Sequence, residues 1–295
     1  MRTEAEVIGQ LLKFAEEDER VRAVVMNGSR VNPKADKDIF CDYDLLFVVT
    51  EPGYYVEHQE WIQTFGELIM MQQNVFAERG GEEYIFLMLF TDGVRIDLSF
   101  RRLETVNDRI EDSLSHTLLD KEGCLKPMCH PSDASYLVAR PTVEEFHDTV
   151  NDLLWCSTNV AKGLWRDQLP YAKYMLDIIV RKNMLQLLTW CVGAEHEWQV
   201  NVGMAAKWLK RYLPEPLWRQ YELTYSGADY KGIWDALFVT LQLAEQAGRP
   251  LADRLNAEYP AQDHRGVLLY LQSVRDLPKN ATAGSFPSID LRASD

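Results

Sequence analysis

Polar and apolar positions follow two different rhythms along this chain, and the change of rhythm near residue 140 is its main organising feature. After Thr3-x-x-Glu6, a capping-box pattern, Ile8, Leu11, Leu12 and Ala15 recur at helical spacing, which predicts a first helix running to about Asp18. Short runs rich in β-formers follow: Val21 to Met26, Tyr43 to Val49, Tyr84 to Phe90 and Val94 to Phe100. The last two are joined by Thr91-Asp92-Gly93, whose Asp-Gly pair predicts a hairpin. Between the second and third runs, Trp61 to Met71 carries helical patterning. From Pro141 onward the strand pattern fades. Thr142-x-x-Glu145 repeats the capping box, and helical spacing extends over about 143–163, 171–192, 203–213, 216–225, 230–247 and 263–276, with Pro170, Pro214 and Pro216 at boundaries. The expected architecture is α+β: a first domain over 1–140 with a small mixed sheet, a helical bundle over 141–277 and a loose tail over 278–295.

Composition narrows the function classes. Hydrophobic residues make up 46% and charged residues 26% of the 295, ample for one large core or two. No apolar run reaches the roughly 20 residues that span a bilayer, and Arg2, Glu4 and Glu6 do not lead into a secretory pattern, so a cytoplasmic location is expected. The formal net charge is −14, from 45 acidic against 31 basic side chains, which opposes a phosphate backbone as partner and favours a cationic small molecule. The five cysteines are odd in number and scattered, as reduced thiols would be; Cys124, Cys129 and His130 match no zinc spacing.

The candidate chemistry sits in the first half. Gly28-Ser29 directly follows an apolar strand, where a glycine lets backbone amides approach an anion and a serine hydroxyl can donate to a phosphate oxygen. Asp42 and Asp44 lie two apart at the start of the next strand, so both carboxylates share a face and Tyr43 takes the other. Two like charges side by side call for a cation, and hard oxygen ligands suit Mg²⁺. Asp97, flanked by inward-facing Ile96 and Leu98, would join them if its strand is a neighbour. Three carboxylates beside a phosphate-cradling turn describe a phosphoryl or nucleotidyl transfer site. There is no Gly-x-x-x-x-Gly-Lys-Ser/Thr loop and no Gly-x-Ser-x-Gly elbow, which disfavours P-loop and serine-hydrolase chemistry.

The order Gly28-Ser29, Asp42-x-Asp44 and a later Asp97 resembles the DNA polymerase β-like nucleotidyltransferase superfamily. More narrowly, Asn27-Gly28-Ser29-Arg30-Val31-Asn32-Pro33 with Asp38 and Asp42-Tyr43-Asp44, then Val160 to Arg166, Tyr171-Ala172-Lys173 and Val180-Arg181, resemble the aminoglycoside 6-adenylyltransferases, which modify streptomycin. That resemblance implies a polymerase β-like nucleotidyltransferase domain, a helical domain that helps bind substrate and nucleotide, ATP with Mg²⁺, and AMP transfer to the 6-hydroxyl of streptomycin, an antibiotic-resistance activity. By position, Asp42 and Asp44 match the metal pair, Asp97 the third acid and candidate base, and Ser29 and Arg30 the nucleotide turn. One departure weakens the triphosphate role of Lys207: Gly203 is followed by Met204 where a Gly-Lys pair is expected.

Other residues are offered against plainer alternatives. Lys173 and Arg181, two turns apart on one predicted helix, are candidates for the triphosphate or are solvated charges. Trp190 and Glu195 would give an aromatic wall and a carboxylate to a guanidinium-bearing acceptor, or Trp190 is simply core; Glu145 is a further carboxylate candidate on an acidic stripe with Asp148 and Asp152. The alternatives to a streptomycin adenylyltransferase are a transferase of the same fold acting on another small molecule or a protein side chain, and a non-catalytic nucleotide-binding module. Oligomeric state stays open.

Overall fold

A computed structural model describes residues 1–78, 81–106 and 112–291. Chain contacts gather into two compact units, Met1–Ser135 and Tyr136–Asp295.

The first unit is built on a six-stranded mixed sheet. Helix α1 (Glu4–Glu17) starts at the Thr3/Glu6 capping box and buries Val7, Leu11 and Ala15. Strands β1 (Val21–Asn27) and β2 (Tyr43–Val49) follow, with the one-turn helix α2 (Tyr54–Glu57) after them. Then come β3 (Leu68–Glu78), β4 (Gly81–Phe90), β5 (Arg95–Arg102), the one-turn helix α3 (Leu103–Val106) and β6 (Ser115–Asp120). The strand order is β3-β4-β5-β2-β1-β6; only β2 and β5 run parallel. One face of the sheet carries the larger core, where Phe47, Phe65, Phe86 and Phe100 are buried with Leu11 of α1. Tyr55 stacks on Phe100 at 4.0 Å there. The opposite face holds a smaller cluster of Ala23, Val25, Leu46, Val48 and Val106 and is apolar only toward one end of β2.

Two sequence expectations fail here. The helical pattern of Trp61 to Met71 yields a 3-10 segment, Gln59–Phe65, which buries Trp61, Ile62 and Phe65 and stops at Gly66. Gly66 has a φ of 129°, open to glycine and closed to most other residues, and the chain then enters β3. Its partner is β4, from Leu68↔Phe90 to Glu78↔Gly81, and this ladder outweighs a local helical rhythm that one buried turn already satisfies. Strand β6 was not expected at all; its six residues gain their order from pairing with β1.

The second unit is helical. Its helices are α4 (Val143–Trp165), α5 (Leu169–Tyr174), a π turn (Met175–Val180) leading directly into α6 (Arg181–Glu195), α7 (Glu215–Glu222), α8 (Tyr230–Leu255) and α9 (Ala261–Asp276). Helix α4 packs against α5, α6, α8 and α9, burying Phe146, Val150, Leu153, Leu154, Val160, Ala161 and Leu164 at the i, i+3/i+4 spacing of a core-facing stripe. The helix expected over 203–213 is instead two 3-10 turns, Met204–Ala206 and Leu209–Arg211, because Ala205 and Ala206 adopt positive φ of 51° and 56°. Pro250 falls inside α8 without ending it.

The tail begins anchored: Lys279 Nζ donates to the carbonyls of Leu164 and Trp165, and Trp165 Nε1 donates to Leu277 O at 3.0 Å. Beyond Pro278 a 3-10 turn, Ala283–Ser285, is the helical feature of the described tail, and the expectation for 292–295 lies outside the described residues.

The capping box expected of Thr142 and Glu145 starts α4. Glu145 Oε2 accepts the Thr142 N–H at 2.8 Å, and Thr142 Oγ1 accepts the Glu145 N–H at 3.1 Å. The carboxylate offered as an acceptor ligand is thus folded back on the helix end, where it also meets the positive pole of the helix dipole. Thr142→Ala should lower the unfolding free energy of the chain by about 1 kcal/mol, read from the urea midpoint by far-UV circular dichroism; an unchanged midpoint would show that the cap is idle.

Candidate active site

Strand register assembles the site. Asn27 of β1 pairs with Asp44 of β2, and Asp44 pairs with Asp97 of β5, so these three occupy one row across the sheet. Leu87 of β4 and Ser115 of β6 extend it on either side. Partners in a ladder project to the same face, so the row lies on the face with the smaller apolar cluster, where the ends of β2 and β5 leave room for polar side chains. The parallel β2–β5 pair, which no local signal announces, makes Asp97 a neighbour of Asp44.

The turn after β1 closes on the same carboxylate. Gly28 opens a 3-10 turn with a φ of 75°, and a Cβ on it would lie 2.5 Å from Asp44 Oδ2. Glycine is therefore required twice, for the left-handed backbone and for the approach of the Asp44 carboxyl. The Gly28 N–H donates to Leu114 O at 3.0 Å, and Ser115 Oγ donates to Asn27 Oδ1 at 2.9 Å, which fixes the turn to β6. Ser29, the next residue, is half-buried.

Arg30 does not face this space. Its guanidinium donates to Asp42 O at 3.0 Å, Cys41 O at 2.7 Å and Glu4 Oε2 at 2.9 Å, and lies over the Tyr43 ring at 3.5 Å. In this position Arg30 has a structural part: a buried guanidinium must spend its donors on protein acceptors, and these hold the chain that delivers Asp42.

Asp44 carries the electrostatic signature of this row. Burial, then the neighbouring Asp97 and Asp42 charges, push its carboxyl from 3.8 to about 6, against the opposing pull of Arg95 and Arg30. Crowded, partly desolvated carboxylates of this kind are the environment a divalent cation relieves, and Asp42 and Asp44 offer it hard oxygen donors. Among the described residues, no three His, Cys, Asp or Glu side chains are closed up as ligands of one ion. In the carboxylate row both oxygens of Asp97 are engaged by Arg95, through Nε at 2.8 Å and Nη2 at 2.6 Å, and Arg95 Nη1 lies 3.5 Å from Asp42 Oδ2. Sequence reading passed over Arg95, although its spacing of two from Asp97 on one strand was the available sign. A cleft of about 440 Å³ opens beside Asp42 and Arg95, walled by Ile39, Phe40, Leu89 and Val94.

The candidates of the second unit are placed within it. Lys173 pairs with Asp177 at 2.9 Å and donates to Ser226 O at 2.9 Å. Arg181 pairs with Asp177 at 3.3 Å, donates to Thr224 Oγ1 and O at 2.7 Å each, and lies over Tyr225 at 3.8 Å. The expected shared face is present, but Asp177 in the π turn and the 224–226 segment occupy both cations. Lys207 is exposed, with Nζ 5.3 Å from the Trp208 ring. Trp190 is buried in the helical core, the packing alternative that the sequence left open. Glu195 stands exposed at the end of α6, on a small cleft of about 100 Å³ shared with Cys191, Leu217 and Arg254.

A family model described as streptomycin adenylyltransferase matches residues 1–274. The chain belongs to the streptomycin adenylyltransferase family. Curated relatives of this adenylyltransferase include the aminoglycoside 6-adenylyltransferase of Bacillus subtilis (strain 168), 33% identical over 280 residues that cover 93% of this chain and 98% of the relative. That of Campylobacter jejuni is 33% identical over 272 residues, covering 90% and 93%. A crystal structure of an aminoglycoside 6-adenyltransferase from Bacillus subtilis is 29% identical and covers 94% of this chain and 100% of its own, at a TM-score of 0.48. Membership makes the chain an enzyme of the adenylyltransferase class. Among the described residues no helix is long and apolar enough to cross a membrane.

The raised Asp44 carboxyl has a consequence for stability. The native state holds that proton up to about pH 6, whereas the unfolded chain releases it near 3.8, so the stabilisation is complete below 3.8 and lost as pH rises through 6. Asp44→Asn, with no charge to acquire, should be more stable than the parent above pH 6 in metal-free buffer, by up to about 3 kcal/mol, and should match it below pH 4. Thermal unfolding across pH 4–8 checks this; a variant no more stable at pH 8 than at pH 4 relative to the parent would refute the raised carboxyl.

Proposed function

We propose that this adenylyltransferase moves AMP from ATP to the 6-hydroxyl of streptomycin, with Mg²⁺ at Asp42 and Asp44. The observation that carries the reading is the row in which Gly28 closes on Asp44 and Asp44 pairs with Asp97: a glycine turn for phosphates, a crowded acid pair and a third acid within one ladder. The relatives named aminoglycoside 6-adenylyltransferase support the acceptor class. The net charge of −14 has the right sign to attract a polycation.

In this reading Gly28 and Ser29 receive the triphosphate, the Gly28 turn presenting backbone and the Ser29 hydroxyl a donor. Mg²⁺ bound there would supply the positive charge that stabilises the departing pyrophosphate. Asp97 takes the proton of the acceptor hydroxyl as its oxygen forms a bond to the α-phosphorus and the bond to pyrophosphate breaks. Streptomycin, unlike kanamycin or gentamicin, carries two guanidinium groups, which pair with carboxylates in bidentate fashion. Glu195, exposed at the end of α6, is the acceptor-side carboxylate we keep for such a pair.

Asp42→Asn and Asp44→Asn should each lower transfer more than about a hundredfold, the usual size of a lost electrostatic contribution at a transferring group, with far-UV circular dichroism unchanged. Near-parental turnover in both would refute the metal assignment. Asp97→Asn should reduce kcat far more than it weakens nucleotide binding, as expected of a base acting in the transition state; calorimetric titration with ATP separates the two, and unchanged turnover would remove Asp97 from the reaction.

Incubation with Mg²⁺, each of the four NTPs and an aminoglycoside panel, followed by mass spectrometry, tests the substrates. AMP should appear on streptomycin and not on kanamycin. The reverse would overturn the acceptor while sparing the reaction, and silence across the panel would favour a non-catalytic module.

A further inference from the structure

We propose that Arg95 is an internal counter-ion of the carboxylate row, a positioning residue that competes with the divalent cation for the negative charge of that row and releases Asp97 when the site loads. The inference rests on the reading of Asp42, Asp44 and Asp97 as the metal and base site, and goes beyond it by assigning what holds that site in the absence of the ion.

The geometry is specific. Arg95 meets both oxygens of Asp97 in a bidentate pair and also approaches Asp42, so one guanidinium spans two members of the acid cluster. With Asp97 held in this way, a second full positive charge beside Asp42 and Asp44 is opposed by the guanidinium, and the Asp97 oxygens are already accepting hydrogen bonds. Loading the ion and freeing the base therefore become one event.

Exposure separates this arginine from Arg30. The Arg30 side chain is 7% exposed and anchored to two backbone carbonyls and Glu4. The Arg95 side chain is 44% exposed, sits at the first position of β5 and borders the cleft that contains Lys37, Asp38 and Phe40. In the proposed release its guanidinium leaves Asp97 for that cleft.

Mn²⁺ binding to the full chain without nucleotide, followed by the EPR signal of free Mn²⁺, tests this in the parent, Arg95→Gln and Arg95→Lys, with Asp44→Asn as the background for weak surface binding. Arg95→Gln should bind Mn²⁺ about tenfold tighter, as expected for removing one adjacent charge, and Arg95→Lys, which keeps the charge, should stay within about threefold of the parent. In ¹⁵N spectra of the parent, the Arg95 Nε–H signal, assigned by its loss in Arg95→Lys, should shift in step with Mg²⁺ occupancy. Parental binding that Arg95→Gln leaves equal or weakens, or an Nε–H signal that stays in place at saturating Mg²⁺, would overturn the inference and leave the metal reading standing. Absence of Mn²⁺ binding in the parent and in both Arg95 variants would remove the metal reading and the inference together.

Discussion

Parallel pairing of β2 with β5 forces Asp44 and Asp97 into register on a face where the bare Gly28 turn lets the Asp44 carboxyl close in. The resulting repulsion is the constraint to which the rest of the first unit responds. Together with burial, the larger cause, it raises the Asp44 carboxyl to about 6, and it draws Arg95 across Asp97 and Asp42. It persists because the register is held from the other face, by the packing of Phe47, Phe86 and Phe100. A sheet so well packed on one side can keep a strained polar row on the other, as polar active sites on rigid scaffolds do.

The two arginines at this site divide the work by exposure. Arg30 is fixed: its donors are taken by Cys41 O, Asp42 O and Glu4, and the Tyr43 ring lies beneath it. It shapes the approach to β2 and so decides where Asp42 stands. Among the described residues the Arg95 guanidinium meets carboxylates, and it faces a cleft. One guanidinium builds the site and the other balances its charge, and their shared charge hides that difference from a sequence reading.

In the helical unit the basic residues first offered to a phosphate are structural partners as well. The π turn places Asp177 four residues from both Lys173 and Arg181, and the same two cations tie down Thr224 and Ser226. The π turn joins α5 and α6 into one run, and Lys173 and Arg181 on either side of it hold the 224–226 segment, beside which Tyr221 and Tyr225 pair through their hydroxyls at 2.9 Å.

What the sequence by itself determined about this protein is what local periodicity and covalent identity carry. The spacing of two between Asp42 and Asp44 puts both on one face of any strand. Thr3/Glu6 and Thr142/Glu145 start helices wherever they lie, and the Asp92-Gly93 pair closes the β4–β5 hairpin. The family motifs, read as a resemblance, agree with the family that matches residues 1–274. Tertiary structure alone decided what depends on partners distant in the chain. It made a strand of Leu68–Glu78, because the ladder with β4 satisfies more backbone than a second helical turn could. It turned Glu145 toward its own helix end and Trp190 into the core, and gave the Arg30 guanidinium to carbonyls eleven and twelve residues on. It brought Asp97, with Arg95 across it, beside Asp44, because a parallel pair places residues by a crossover whose register no short stretch of sequence encodes.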